Sequence, residues 1–147
     1  MILPDDFSEF LRSLNAHDVK YLVVGGHAVS FHGYPRFTRD VDVVILPDEP
    51  NARALLATLT DFGFAEIGLD VGDFLKPTTV VLGRTPDQID IMTFIKGVDV
   101  QEAWQRRVFG VLDGIEVAFI AKPDLLANKR AVGRPEDLAD IARLGEG

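Results

Sequence analysis

There is no cysteine in this chain of 147 residues, which excludes disulfide staples and thiolate-bound metals and leaves carboxylates and three histidines as available ligands. Oxygen ligands favour a hard cation. Long apolar runs are also missing: Tyr21 to Val24 and Val41 to Leu46 fall far short of the roughly 20 residues that cross a bilayer, so no membrane role is expected. The opening Met-Ile-Leu-Pro-Asp-Asp has no basic region followed by an apolar one, so no secretory leader is expected and the cytoplasm is the default compartment. Positive charge is scarce, with 15 Lys and Arg against 23 Asp and Glu and a formal net charge of -8. Such a surface repels a nucleic-acid backbone, which argues against a long nucleic-acid groove but leaves room for a local basic patch. No internal repeat, low-complexity tract or Ser/Pro-rich linker is present, so residues 1–147 are read as one domain.

What is present is the raw material of an ordinary globular core, 47% hydrophobic and 26% charged residues. Phe7, Phe10, Leu11 and Leu14 recur at helical spacing from Asp5 to Leu14, with Asp5 or Asp6 available as a cap. Tyr21 to Val24 reads as a strand, Gly25-Gly26 as a turn, and His27 to His32 as a short helix closed by Gly33. An irregular connection, 34–38, leads to a second strand, Asp40 to Leu46, ended by Pro47. Ala52, Leu55, Leu56, Leu59 and Phe62 mark one face of a helix from Glu49 to Phe62 that stops at Gly63. Thr78 to Leu82 and Gln88 to Phe94 pair as an antiparallel hairpin around a turn at Gly83 to Asp87. A helix over Val100 to Arg107 precedes a second hairpin, Val108 to Leu112 and Ile115 to Phe119, joined by Asp113-Gly114. Helices at Pro123 to Ala131 and Pro135 to Leu144, separated by Gly133, complete an α+β order with a mixed sheet covered by helices.

Three acidic residues break the strand pattern. Side chains two apart share a strand face, so Asp40 and Asp42 point together while Val41 and Val43 face the core. Asp90, between Ile89 and Ile91, is disposed in the same way on another strand. Aspartate is depleted in strands, so propensity does not place it there. Three ionised carboxylates held close raise one another's pKa unless a cation neutralises them, and magnesium or manganese suits that chemistry. Ions held so serve phosphoryl and nucleotidyl transfer. Gly25-Gly26 ahead of a helix would let backbone N–H groups approach an anion such as a triphosphate.

Gly25-Gly26, the 14 positions from Gly26 to Asp40, Asp40-Val41-Asp42 and the later Asp90 together resemble the DNA polymerase beta-type nucleotidyltransferase superfamily. More narrowly, the segments 21–29, 32–42 and 128–140 are similar to small bacterial stand-alone nucleotidyltransferases related to abortive-infection and toxin–antitoxin enzymes. The resemblance implies a nucleotidyltransferase fold, metal held by Asp40, Asp42 and Asp90, and nucleotide phosphates near Gly25 and Gly26. It also implies a supporting role for Lys129 and, less directly, Asp137. The activity implied is transfer of a nucleoside monophosphate from a nucleoside triphosphate to a tRNA end, a protein hydroxyl or a small molecule.

Plainer readings compete. The glycines serve equally as a bare strand-to-helix turn, and Asp40 and Asp42 as a solvated face paired with Arg36 and Arg39. Arg36 and Thr38 are candidates for phosphate contact, although an arginine beside aspartates more often forms a structural ion pair. Lys129, without the resemblance, reads as a solvated lysine. His27 and His32 lie five apart, not at the four-residue spacing of a helical zinc pair, and read as packing or polar contacts. Two rival functions remain open: a catalytically weak partner protein of a toxin–antitoxin pair, and a metal-dependent nuclease using the same carboxylates. The shortness of the chain leads to the expectation that a cognate partner chain or a homodimer completes the site.

Overall fold

The centre of the molecule is β1 (Tyr21–Val24), a four-residue strand buried along its whole length. In the computed structural model, which describes residues 5–36, 38–63, 68–84 and 87–145, β1 is flanked by β2 (Val41–Ile45) and by β6 (Ile115–Phe119). It runs antiparallel to β2 and parallel to β6. Beyond β2 lie β4 (Asp87–Met92), parallel to it, and then β3 (Thr79–Arg84), antiparallel to β4. Beyond β6 lies β5 (Val108–Leu112), its antiparallel hairpin partner. The result is a six-stranded mixed sheet in the order β3-β4-β2-β1-β6-β5. β1 (Tyr-Leu-Val-Val) is apolar throughout and β2 is apolar apart from Asp42, as expected where both faces are covered.

Helices α1 (Asp5–Ala16) and α3 (Glu49–Asp61) pack on each other, and α1 also lies on β6. From α1, Phe10, Leu11 and Leu14 are fully buried, three of the four positions whose spacing marked the helix. Residues before Asp5, where a cap would sit, lie outside the described residues. α3 starts on Asp48, whose carboxylate accepts the Asn51 N–H at 2.8 Å, a cap of the kind that contributes about 1 kcal/mol. Asn51 is itself buried and joins two strands: it accepts the Lys20 N–H and donates to the carbonyls of Lys20 and Leu46. The entrance to β1 is thereby tied to the exit of β2.

The remaining elements are a short 3-10 turn (Val71–Phe74), α4 (Val100–Gln105), α5 (Lys122–Val132) and α6 (Pro135–Leu144). The 3-10 turn is held by a reciprocal cap between Asp70 and Asp73, which bends the chain before β3 begins. Sequence spacing placed the hairpins well. The β3/β4 ladder runs closer to its turn than expected, with Arg84 opposite Asp87, and Thr85 and Pro86 lie outside the described residues. β4 stops at Met92, because Thr93 turns its hydroxyl to the Lys76 carbonyl at 2.6 Å. Gly25-Gly26 is not a separate turn. The two glycines form the first turn of α2 (Gly25–Phe31), which starts directly from β1. No helix among the described residues is long and apolar enough to cross a membrane.

Candidate active site

The ends of β1, β2 and β4 bring Gly25, Asp42 and Asp90 together, with Asp40 just before β2, whereas Gly26, Arg36 and Thr38 do not line the same cleft. In the parallel β2/β4 ladder Asp42 stands opposite Asp90, and in the antiparallel β1/β2 ladder it stands opposite Val24. Val41, Val43, Ile89 and Ile91 turn the other way into the core, so the alternation that buries the valines and isoleucines presents the carboxylates on the opposite face. Asp40, just before β2, accepts the Gln88 N–H at 3.3 Å, and the Gln88 side-chain amide donates to Asp90 at 3.0 Å. Gln88 therefore links the two outer carboxylates, a role that sequence spacing did not indicate.

Burial pushes the Asp42 carboxyl up to about 7, reinforced by its hydrogen bond to Asp90 and by the charges of Asp90 and Asp40. The pair thus holds a proton near neutral pH, as carboxylates do when they share a site. Gly25 confines Asp42 further. Its φ of +69 is left-handed, and a Cβ there would lie 2.1 Å from the Asp42 Oδ2. The absence of a side chain at Gly25 is what lets backbone and carboxylate meet. Gly26 is less constrained, with the Thr38 methyl 3.1 Å from where its Cβ would be. Among the described residues no three His, Asp or Glu side chains already surround a single point as a metal cage. Asp42 and Asp90 make the close pair and Asp40 stands beside it.

The carboxylates open into a cavity of about 450 Å³. Asp42 and Asp90 line it from the sheet, Gly25 from the start of α2, and Asn128, Lys129, Arg134 and Asp137 from α5 and the start of α6. Lys129 is buried rather than solvated, with its ammonium 2.9 Å from Asp140 and 3.5 Å from Asp137. Arg134 binds Asp137 through Nε at 2.7 Å. That contact, with Lys129 further off, holds the Asp137 carboxyl below the usual carboxylate range against its burial.

Arg36 forms a structural ion pair, but not with the carboxylates near it in sequence. Its guanidinium binds Asp140 of α6, and its backbone exchanges hydrogen bonds with the Ser30 hydroxyl at 3.0 Å. Burial pushes the Asp140 carboxyl up, yet Lys129 and Arg36 together more than offset this and hold it low. Asp140 escaped the sequence reading. The signal was the buried face of α6, Asp137, Asp140, Ile141 and Leu144, which carries two carboxylates at core positions. Thr38 donates weakly to the Asp40 carbonyl at 3.4 Å. His27 is buried, with neither ring nitrogen hydrogen-bonded, and burial holds its pKa below the usual value against the opposing influence of the Asp40 main chain. His32 binds the Ile120 carbonyl at 2.6 Å.

A mixed sheet in this order, with aspartates opposed on two parallel strands beside a helix led by glycines, is a nucleotidyltransferase-like fold. The crystal structure of an antigenic nucleotidyltransferase-like protein from Paracoccidioides brasiliensis shares it, with a TM-score of 0.53 and 19% identity, over 97% of this chain and 75% of that one. At the level of sequence the chain belongs to the DUF6036 family, described as nucleotidyltransferases of unknown function, whose model matches residues 5–144. No curated protein matches it.

Proposed function

We propose that this protein transfers a nucleoside monophosphate from a nucleoside triphosphate to an acceptor, releasing pyrophosphate, with magnesium or manganese as cofactor. The observation that carries the reading is the Asp42–Asp90 pair, in which burial first and the carboxylate opposite it in register second push the Asp42 carboxyl up to about 7. A proton balances the pair in the free protein, and a hard cation can take its place. Asp42 and Asp90, with Asp40 beside them, would hold that ion. When bound, it would neutralise phosphate charge and lower the pKa of an attacking hydroxyl.

The chain's own groups supply the rest. Gly25 lines the cavity beside Asp42 and Asp90 and, with Gly26, opens α2, whose first-turn N–H groups would meet a phosphate chain there. Lys129 and Arg134, ion-paired with Asp137 and Asp140, stand on the facing wall, and the cavity has the size of a small-ligand site. Arg36 and Thr38 support the segment that carries Asp40, and Arg36 does so while bound to Asp140. The acidic surface favours a small or locally gripped acceptor over an extended nucleic acid, although an RNA end or a protein hydroxyl fits the same chemistry. A toxin–antitoxin or phage-defence role would follow from the acceptor found.

Titration calorimetry of ATP, GTP, CTP and UTP with magnesium tests the reading, with an Asp40→Ala/Asp42→Ala double variant as comparison. Magnesium-dependent binding of one nucleotide, lost in the variant, is expected and identifies the donor. Absence of binding by all four would overturn the transferase reading in favour of a non-catalytic partner protein. Cleavage of RNA or DNA without incorporation of nucleotide label would instead indicate a nuclease.

A further inference from the structure

Nine large hydrophobic side chains are exposed among the described residues, and four gather at one edge of the sheet: Val108, Phe109 and Val111 on β5, and Phe31 of α2 against it. Phe109 is 58% exposed and Val111 67%. β5 is the terminal strand, and Val-Phe-Gly-Val-Leu contains no charge, proline or bulge of the kind that shields exposed edges. The opposite edge, β3, exposes Val81 alone among its large hydrophobics.

The hairpin geometry determines which backbone groups β5 offers. Asp113 and Gly114 form a two-residue turn with φ of 52° and 76°, and Leu112 is paired with Ile115 across it. The pair that flanks such a turn exchanges its hydrogen bonds, and the pattern alternates along the ladder. Leu112, Gly110 and Val108 therefore turn their N–H and C=O toward β6, whereas Phe109 and Val111 turn theirs outward. An antiparallel copy of β5, related by a two-fold axis at Gly110, would set Phe109 against Val111 of the second copy, each with outward-facing groups. It would also set Arg107 against Asp113 of the second copy.

Those two ends are complementary in charge and lack opposite charges of their own. Arg107 donates to the Trp104 carbonyl at 2.8 Å and stacks on the Trp104 ring, but among the described residues it has no carboxylate partner, and its Nε is buried without a hydrogen bond. Asp113 accepts from the Ser8 hydroxyl at 2.5 Å and has no cationic partner among the described residues. We propose that β5 pairs antiparallel with β5 of a second copy of this chain about a two-fold axis at Gly110, joining two sheets into one. The aromatic–β-branched pairs would supply apolar contact, and two Arg107–Asp113 pairs would set the register. β6 and β1 separate this edge from the carboxylate cleft, so the association is independent of nucleotide binding.

Sedimentation velocity on the full chain over roughly 1–100 µM, without nucleotide, tests this. The expected result is a concentration-dependent species of twice the 16.2 kDa chain mass. Val111→Lys should weaken association at least tenfold while the circular-dichroism spectrum stays unchanged. Arg107→Asp and Asp113→Lys should each weaken it, and an equimolar mixture of the two should restore a dimer, because both charge pairs re-form in the heterodimer. Should Asp113→Lys fail to fold at its positive φ, Val111→Lys alone decides. A wild-type protein that stays monomeric throughout, or a dimer untouched by Val111→Lys, would overturn the proposal.

Discussion

Asp42 and Asp90 occupy matching positions in neighbouring parallel strands, and the Asp42 carboxyl, pushed up to about 7 by burial first and by Asp90 second, is hydrogen-bonded to its counterpart. Protonation therefore favours the folded state at this site. The stability that Asp42 contributes is fully present below about pH 4, where the unfolded carboxyl is also protonated, and is lost as pH rises toward about 7.

An Asp42→Asn variant keeps a donor for Asp90 and removes the titration. It should match the wild type near pH 4 and exceed its stability at pH 8 by about 1–3 kcal/mol. The full displacement from 3.8 to about 7 would set a ceiling of about 4 kcal/mol, lowered because the proton is shared and the site is partly open to water. Urea denaturation at several pH values measures this. An equal gain at every pH would remove the carboxylate pair as its cause.

Gly25 and Gly26 should respond unequally to alanine. Gly25→Ala places a methyl against the Asp42 carboxylate at a positive φ, and should lose about 1–3 kcal/mol. Gly26→Ala meets only the Thr38 methyl inside a helical turn, so it should change stability by less than about 1 kcal/mol. Comparable losses in thermal unfolding would contradict the close approach seen at Gly25.

Asp140 is the shared counterion of Lys129 and Arg36. Its loss in Asp140→Ala should destabilise the protein by about 3–5 kcal/mol, the usual consequence of stranding a buried charge. Because the Asp140 pKa is lowered in the fold, its contribution is present above the ordinary carboxylate pKa and fades as pH falls through the lower folded value. Acid denaturation below about pH 4 should therefore be shallower in the variant.

On the proposed reading, magnesium at about a hundred times its Kd should raise stability by about 2.7 kcal/mol, and Asp42→Ala should abolish the rise. Displacement of the Asp42 proton makes binding release protons, so affinity should increase from pH 6 to pH 8. Calorimetry in buffers of different ionisation enthalpy reads that proton directly. A magnesium affinity that is the same at both pH values would argue against Asp42 as a ligand.

The sequence by itself determined the pieces that depend on near neighbours. Asp113-Gly114 specified the β5/β6 hairpin, since its positive φ values match a two-residue turn. Gly133, left-handed at φ 69°, closed α5 where its pattern stopped. Period-two alternation put Asp42 and Asp90 on strands with their carboxylates away from the core, because pleating leaves an alternate residue no other direction. Tertiary structure alone decided which strands lie side by side: β4 joins β2 and β6 joins β1, neither adjacent in sequence. It also decided that Arg36 meets Asp140 rather than Asp40 or Asp42, that Lys129 is buried, and that β5 is left at an edge. Those outcomes follow from long-range packing of faces that look equivalent along the chain, and no local pattern carries the sequence separation between partners that burial brings together.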